Sequence, residues 1–146
     1  MPYTISVRII DTTTKDPGFT LVEKTVWLYD GTWSNTDSIQ TLVMSMSGTS
    51  GALRFRNGVG ESFLVTLGVH NDKRWCDVVT DLTRWDTGVK IHPEYYKEGN
   101  SRFEALWNTL GEIQKTSAEG TKVAVKYVKE EKDGDGMSFV VHITIS

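Results

Sequence analysis

Apolar residues recur at every second position in four stretches of the chain, and this alternation constrains the fold more than any other feature. In a β-strand, successive side chains point to opposite faces, so each stretch offers one apolar face to a core. The pattern therefore predicts strands. The alternating positions are Tyr3, Ile5, Val7 and Ile9; Phe63, Val65, Leu67 and Val69; Val123, Val125 and Tyr127; and Phe139, Val141, Ile143 and Ile145.

Segments rich in Gly, Asn, Asp and Ser separate these stretches and predict turns at 16–18, 47–51, 57–58 and 133–136. Asn-Gly at 57–58, between two apolar runs, is a strong β-hairpin signal. The Asp-Gly-Asp-Gly run at 133–136 could pass for a calcium loop. It lacks the full EF-hand spacing and the closing Glu, so we interpret it as the turn between the last two strands.

One segment has a helical period. Ser101 followed by Glu104 is a capping box, and Gly111 can end a helix, so the pattern predicts a short amphipathic helix over 102–110. Many strands, short turns and one or two short helices predict an all-β fold, a two-sheet β-sandwich. The apolar positions at three- and four-residue steps are Phe103, Leu106, Trp107, Leu110 and Ile113.

Composition narrows the class of protein. With 146 residues, we expect a single domain, 1–146. A net charge of −3 argues against a nucleic-acid partner, because phosphate binding normally requires a basic face. Cys76 is the only cysteine, so no intrachain disulfide can form. The start, MPYTISVRIID, has neither a basic nor an apolar signal-peptide region, so we expect a cytoplasmic protein, with any release by an unconventional route.

The run GVHNDKRWCD, at 68–77, concentrates chemically active side chains. Cys76 with His70 and Asp77 has the residue types of a thiol triad, but a lone cysteine is more often a small buried hydrophobe. No nucleophile signature accompanies it, so we expect no enzyme activity.

A metal site is the second interpretation of the histidines and the cysteine. His70, His92, His142 and Cys76 are scattered with no recognised ligand spacing, so we expect neither a metal nor another cofactor.

A site for an uncharged polar ligand is the third interpretation. A sugar needs rigid donors and acceptors together with an aromatic face for its C–H side, and the chain is rich in aromatic residues. Tryptophans in a small sandwich are usually core, however, so the residues alone place sugar binding only slightly ahead of a general interaction domain.

Several stretches resemble the fungal fruit-body lectin family, in family order across nearly the whole chain. The most specific are GVHN–KRWCD and SGTSG–LRF. The resemblance implies a β-sandwich like that of the pore-forming actinoporins, a homodimer or homotetramer, two sugar sites in each subunit, no catalysis and a defensive role. The matching stretches are YTISVRI at 3–9, VEKTVW at 22–27, GTW at 31–33, SGTSGALRF at 47–55, ESF at 61–63, GVHN–KRWCDVVT at 68–80 and EYY at 94–96.

The resemblance also implies site residues. A site for the Galβ1-3GalNAc disaccharide (T-antigen) of mucin-type O-glycans is carried over to Ser47, Gly48, His70 and Asn71, with Asp30 in a loop that lines it. A site for terminal N-acetylglucosamine is carried over to Asp77, Val78, Thr80, Arg102 and Ile113. Arg74 and Trp75 are interpreted as scaffold or contact and are left out of both sites.

The chain departs from the family at both sites. The usual Tyr-Ala-Asn-Gly-Gly-Thr-Trp is two residues shorter, at 29–33, and the usual Met-Gly-Gly-Ser-Gly has Ser45 and Met46 in place of its two glycines. Asp72 stands where the family has a tyrosine in His-Asn-Tyr, and Ile113 replaces a tyrosine at the second site. A lost neutral hydrogen bond weakens an interaction by about 0.5–1.5 kcal/mol, so the second site is expected to be the weaker.

We therefore expect a lectin whose partners are glycans and whose contact with membranes is only through glycans. The alternative is an actinoporin-like, membrane-active protein. That activity needs an amphipathic N-terminal segment that can detach and insert, whereas this chain has a strand pattern from Tyr3. A hydrolase that uses Cys76 is a third option.

Overall fold

The computed structural model describes residues 2–13, 18–28 and 30–146, so most of the predicted turn at 16–18 and Tyr29 of the shortened loop lie outside the described residues. Strands dominate, as the alternation predicts. They are β1 (Tyr3–Asp11), β2 (Thr20–Trp27), β3 (Thr32–Thr36), β4 (Ile39–Met44), β5 (Thr49–Arg56), β6 (Ser62–His70), β7 (Lys73–Val79), β8 (Glu112–Thr116), β9 (Lys122–Asp133) and β10 (Gly136–Ile145).

Two sheets pack face to face, which confirms the predicted β-sandwich. One has the order β3-β4-β1-β10-β9-β8 and the other the order β2-β5-β6-β7. Strands β1 and β10 pair in parallel, and the other neighbours pair antiparallel. The predicted apolar positions of β1, β6, β9 and β10 meet in one core between the sheets, where burial of apolar surface stabilises the fold.

A layer of short helices covers the outer face of the four-stranded sheet. It contains α1 (Gly88–Ile91), a 3₁₀ helix at His92–Tyr96, a second at Ser101–Phe103, and α2 (Glu104–Asn108). Ile91, Tyr95 and Leu106 pack there against Leu64 and Trp75 of the sheet. Strand β6 is therefore buried on both faces, whereas its alternation predicted one apolar face.

The predicted helix over 102–110 is wrong in its bounds and in its cap. The side chain of Asn100, not that of Ser101, accepts the hydrogen bond from Arg102 N. The helical segment ends at Asn108 because Thr109 has a left-handed conformation, with φ 45°, so Gly111 is not its terminator. The helices at 88–96 were not predicted, because they are too short to show a helical period.

The structure contains the predicted turns at 47–51, 57–58 and 133–136, but the first two differ in their bounds. The turn at 133–136 joins β9 to β10, and Asn57 lies in the β5–β6 hairpin. That connection spans the five residues 57–61, and Asn57 Oδ1 accepts from the backbone N–H groups of Val59 and Glu61. The 47–51 turn is shorter than predicted, because Thr49–Gly51 already belong to β5.

Strand β1 occupies an inner position of its sheet, between β4 and β10. The segment that an actinoporin-like protein would have to release is thus hydrogen-bonded on both edges, in register from Tyr3 onward. In the described part of the chain, no helix has the length and hydropathy of a membrane span.

Candidate functional site

The GVHN–KRWCD run forms the β6–β7 hairpin. His70 pairs with Lys73, and Asn71 and Asp72 form the two-residue loop with φ values of 53° and 62°. Positive φ at both positions is typical of a type I′ turn, which favours Asn and Asp. Asn71 therefore lies at the tip of a rigid hairpin, where its side chain is exposed.

Hydrogen bonds hold the 45–48 turn against this hairpin. Gly48 N donates to Val69 O at 2.8 Å, and Asp72 N donates to Ser47 Oγ at 2.9 Å. The Tyr3 hydroxyl supports the hairpin from below by donating to Asp72 Oδ1 at 2.7 Å. Burial and the bond to this carboxylate raise the pKa of Tyr3 to about 12. Asp72, one of the departures from the family, is thus part of the support under the turn.

The shortened loop lies beside the same turn. A Cβ on Gly31 would clash with Val26 Cγ1 and lie 3.1 Å from Thr49 Cγ2, so the loop backbone approaches β2 and β5 closely. Asp30 is exposed, with φ 56°. The structure therefore brings together Ser47, Gly48, His70 and Asn71, with the loop that carries Asp30 beside them; we call this set the first site.

The first site is an open shelf. Gly48 has φ 90°, and a Cβ placed on it would meet no atom within 4 Å, so the space above it is free for a ligand. Glycine is needed there for its backbone conformation, which other residues rarely adopt.

His70 forms one wall of the shelf together with Trp107, which the sequence pattern assigned to the apolar face of the predicted helix. Its ring meets Trp107 of α2 edge to face, with centroids 4.7 Å apart and planes at 77°. Burial lowers the pKa of His70, and its Nε2 has no hydrogen-bond partner in the described structure. Trp107 was predicted on the apolar face of the helix, yet it is 59% exposed.

A buried polar network lies below the first site, and sequence reasoning missed it. His92 Nε2 lies 2.7 Å from Ser50 Oγ, and His92 Nδ1 lies 2.8 Å from Thr25 Oγ1. Ser50 Oγ also lies 2.7 Å from the Tyr96 hydroxyl, and the Tyr96 ring stacks on Trp27. Burial lowers the pKa of His92 to about 4, so the imidazole is neutral at pH 7 and joins the sheet to the helical layer.

Asp77 and Arg102 both line a cleft of about 260 Å³ between β7, α2 and β8. Ile113, Lys115, Glu104 and Asn108 are among the other residues that line it. Asp77 Oδ2 accepts from the buried Tyr95 hydroxyl at 2.5 Å, and Asp77 Oδ1 lies 3.9 Å from Lys115 Nζ. Burial first, and then the charge of Asp77, raise the pKa of Tyr95 well above its usual value.

Arg102 also borders a neighbouring cleft of about 280 Å³, which Thr80 lines. Its Nε donates to Glu94 Oε1 at 2.9 Å, which fixes the guanidinium between the two clefts. Val78 differs from the other carried-over residues: its side chain is 0% exposed and lies in the core, so it can offer only backbone atoms. Asp77, Arg102 and Ile113, with Thr80 next to them, are called the second site.

Arg74 and Trp75 are scaffold. Trp75 is 0% exposed and packs against Tyr95. Arg74 Nη1 donates to Thr109 O at 3.0 Å, and Cys76 Sγ donates to Leu110 O at 3.4 Å, so β7 fixes the end of α2.

The chemistry of Cys76 is opposite to that of a catalytic thiol. Burial raises its pKa to about 12, whereas a nucleophilic cysteine needs a lowered pKa. The three histidines also separate: His70 on the shelf, His92 in the helical layer and His142 on β10. In residues 2–13, 18–28 and 30–146, no group of three His, Cys, Asp or Glu side chains could hold a metal.

The sequence model of the fungal fruit body lectins matches residues 1–141. The chain belongs to this family. The lectin is 45% identical to the Boletus edulis lectin over 136 residues, which cover 90% of this chain and 92% of that protein.

Two crystal structures of the Xerocomus chrysenteron lectin have the same fold. The wild-type protein matches with a TM-score of 0.87 and 42% identity over 100% of both chains. A variant with three substitutions to methionine matches with a TM-score of 0.90 and 42% identity, over 100% of this chain and 99% of the other. The protein is thus a carbohydrate-binding lectin, and lectins are not enzymes; both predictions are confirmed by the family.

Proposed function

We propose that this lectin binds Galβ1-3GalNAc of mucin-type O-glycans at the first site and terminal N-acetylglucosamine at the second. The observation that carries the proposal is the clustering of the carried-over residues. Ser47, Gly48, His70 and Asn71 come from two turns that hydrogen-bond to each other, and Asp77, Arg102 and Ile113 line one cleft.

The first site supplies neutral donors and acceptors in fixed positions. Ser47 Oγ accepts from Asp72 N, so its own proton is available for a sugar oxygen. Asn71 offers an amide with both donor and acceptor atoms at the exposed tip of the hairpin. This chemistry suits uncharged hydroxyl and acetamido groups.

The second site supplies charge held in place. Tyr95 occupies one oxygen of Asp77, which leaves Oδ1 and its remaining lone pairs for sugar hydroxyls. Arg102 keeps donors beyond the Nε that Glu94 engages. Ile113 gives an apolar wall where the family offers a hydroxyl.

Single shallow sites bind weakly, so we propose that binding strength comes from a homodimer or homotetramer that engages several glycans. The proposed partners are glycoproteins with mucin-type O-glycans or terminal N-acetylglucosamine, in a defensive role. We also propose that the protein is cytoplasmic and that any release follows an unconventional route.

Two conservative variants test the two sites on a glycan array, followed by calorimetric titration. Asn71→Gly removes the amide but keeps the positive φ, and Asp77→Asn keeps an acceptor for Tyr95 but removes the charge. Asn71→Gly should lose Galβ1-3GalNAc alone, and Asp77→Asn should lose N-acetylglucosamine alone.

Asp37→Gly is the matched control for the first variant. Asp37 and Ser38 form the two-residue β3–β4 turn, with φ values of 51° and 65°, at the far end of β4 from Ser47. The Asp37→Gly variant should bind both sugars normally. Wild-type protein that folds but binds neither sugar would refute the proposal, and loss of both sugars in either variant would refute the separation of the sites.

A further inference from the structure

Trp107 is an exposed aromatic side chain on a firmly anchored helix. Its neighbour Leu106 is 1% exposed and packs under α2, so Trp107 projects away from the core with 59% of its surface exposed. The end of α2 is fixed by the bonds of Arg74 to Thr109 O and of Cys76 to Leu110 O. The indole is therefore presented to solvent from a rigid support.

The indole stands at the rim of the first site. Its ring packs on His70 with centroids 4.7 Å apart, and His70 directly precedes Asn71 at the hairpin tip. The 45–48 turn lies against the same hairpin through Gly48 N and Val69 O. Trp107 is thus joined through His70 to the hairpin and the turn that carry the polar groups of the shelf.

Two further observations indicate that Trp107 has a role beyond its packing on His70. His70 Nε2 is buried without a hydrogen-bond partner, and an unsatisfied polar atom of this kind is rare in native structures. The other highly exposed tryptophan, Trp85, already has Arg84 over its ring at 4.6 Å. In the described part of the chain, His70 is the only ring or cation that packs on Trp107.

We propose that Trp107 is a specificity-determining residue of the first site and selects galactose-configured sugars. The axial 4-hydroxyl of galactose leaves C3–H, C4–H and C5–H on one face, and this apolar patch packs on the indole. Glucose-configured sugars carry the 4-hydroxyl equatorially and offer a less continuous patch. The inference rests on the proposed function of this site and deepens it by naming what selects the sugar.

Titration of Galβ1-3GalNAc into wild-type protein, Trp107→Phe, Trp107→Ala and Trp85→Ala tests the proposal. Removal of the indole in Trp107→Ala should weaken binding about 3- to 10-fold, with a smaller effect in Trp107→Phe, which keeps an aromatic ring. Trp85→Ala is the matched control: this indole is exposed like that of Trp107 but is covered by Arg84, so the variant should bind as wild type does. N-acetylglucosamine binding reports folding in every variant, since Trp107 does not line the second cleft.

Tryptophan fluorescence gives a readout that a merely structural role would not change. Addition of Galβ1-3GalNAc should change the emission of wild type and of Trp85→Ala, and Trp107→Phe should lose that change. Wild-type disaccharide affinity in Trp107→Ala, with the emission change intact in Trp107→Phe, would overturn the role of Trp107 and leave the proposed function standing. A folded wild type that binds no galactosyl glycan would overturn both.

Discussion

The backbone sets the geometry of the first site, whereas paired side chains set that of the second. Gly48, Asn71 and Asp30 all have positive φ, and their positions depend on the turn types of short connections. Asp77 and Arg102 instead lie in regular elements and are oriented by Tyr95 and Glu94. The first site should therefore be sensitive to changes in backbone space, and the second to the loss of single polar partners.

Both sites depend on the helical layer, so acidification should break them together. Burial lowers the pKa of His92 from 6.5 to about 4, and the unfolded chain therefore binds more protons between these pH values. The stability that the neutral imidazole contributes is complete above pH 6.5, and about 3 kcal/mol of it is lost as the pH falls to 4.

Urea denaturation from pH 7 to 4, for wild type and His92→Gln, measures this effect. The glutamine cannot titrate, so its free energy of unfolding should fall less steeply over that range. If the free energy of unfolding falls equally steeply with pH in both proteins, the titration of His92 is not the cause of the pH dependence.

Tyr95→Phe should damage the second site and spare the first. The substitution removes the hydroxyl that donates to Asp77 at 2.5 Å, and a hydrogen bond to a charged group contributes about 1.5–3 kcal/mol to stability. Without this donor the carboxylate is no longer held toward the cleft. Calorimetric titration should show weaker N-acetylglucosamine binding and unchanged Galβ1-3GalNAc binding; equal loss at both sites would contradict the comparison.

Gly68→Ala should damage the first site and spare the second. A Cβ there would lie 2.6 Å from Ser50 Cβ and 2.8 Å from both Thr49 O and Trp75 Nε1, all in the centre of the sheet. Overpacking of this kind costs about 1–3 kcal/mol and would displace the start of β5, which carries the 45–48 turn. Thermal unfolding and disaccharide titration measure the two effects, and an unaffected first site would show that β5 yields without moving the turn.

The fold was predictable where apolar residues recur at every second position along a strand. The inward positions of β1, β6, β9 and β10 follow from period two, because each of these strands has at least one face on the core. The second apolar face of β6 could not be predicted, since Leu64 is buried only by helices too short to show a period. A turn was predicted at 47–51, whereas the observed turn covers 45–48, because its bounds depend on pairing with Val69, more than twenty residues away.

The site residues came from the family resemblance, and the structure explains why the residues alone were insufficient. Asn71 and Asp77 belong to one hairpin, yet the groups that complete their surroundings are remote in sequence: Ser47 for one, Tyr95 for the other. Trp107 was misplaced because helical periodicity predicts one apolar face. The helix is only five residues long, and it buries Leu106 alone.

Ile113→Tyr should produce a small gain in affinity, and it sharpens the comparison most. At the second site the departure from the family is one side chain, which lines the cleft with Asp77 and Arg102, so one substitution can restore the missing hydroxyl. A neutral hydrogen bond contributes about 0.5–1.5 kcal/mol, or about 2- to 10-fold in affinity for N-acetylglucosamine. At the first site the departure is a loop two residues shorter, so Asp30→Ala alone should leave disaccharide affinity nearly unchanged, because a side-chain exchange does not lengthen the backbone. Calorimetric titration of both variants decides between the two kinds of site: a gain in Asp30→Ala as large as that in Ile113→Tyr would mean that side chains, not backbone, limit the first site as well.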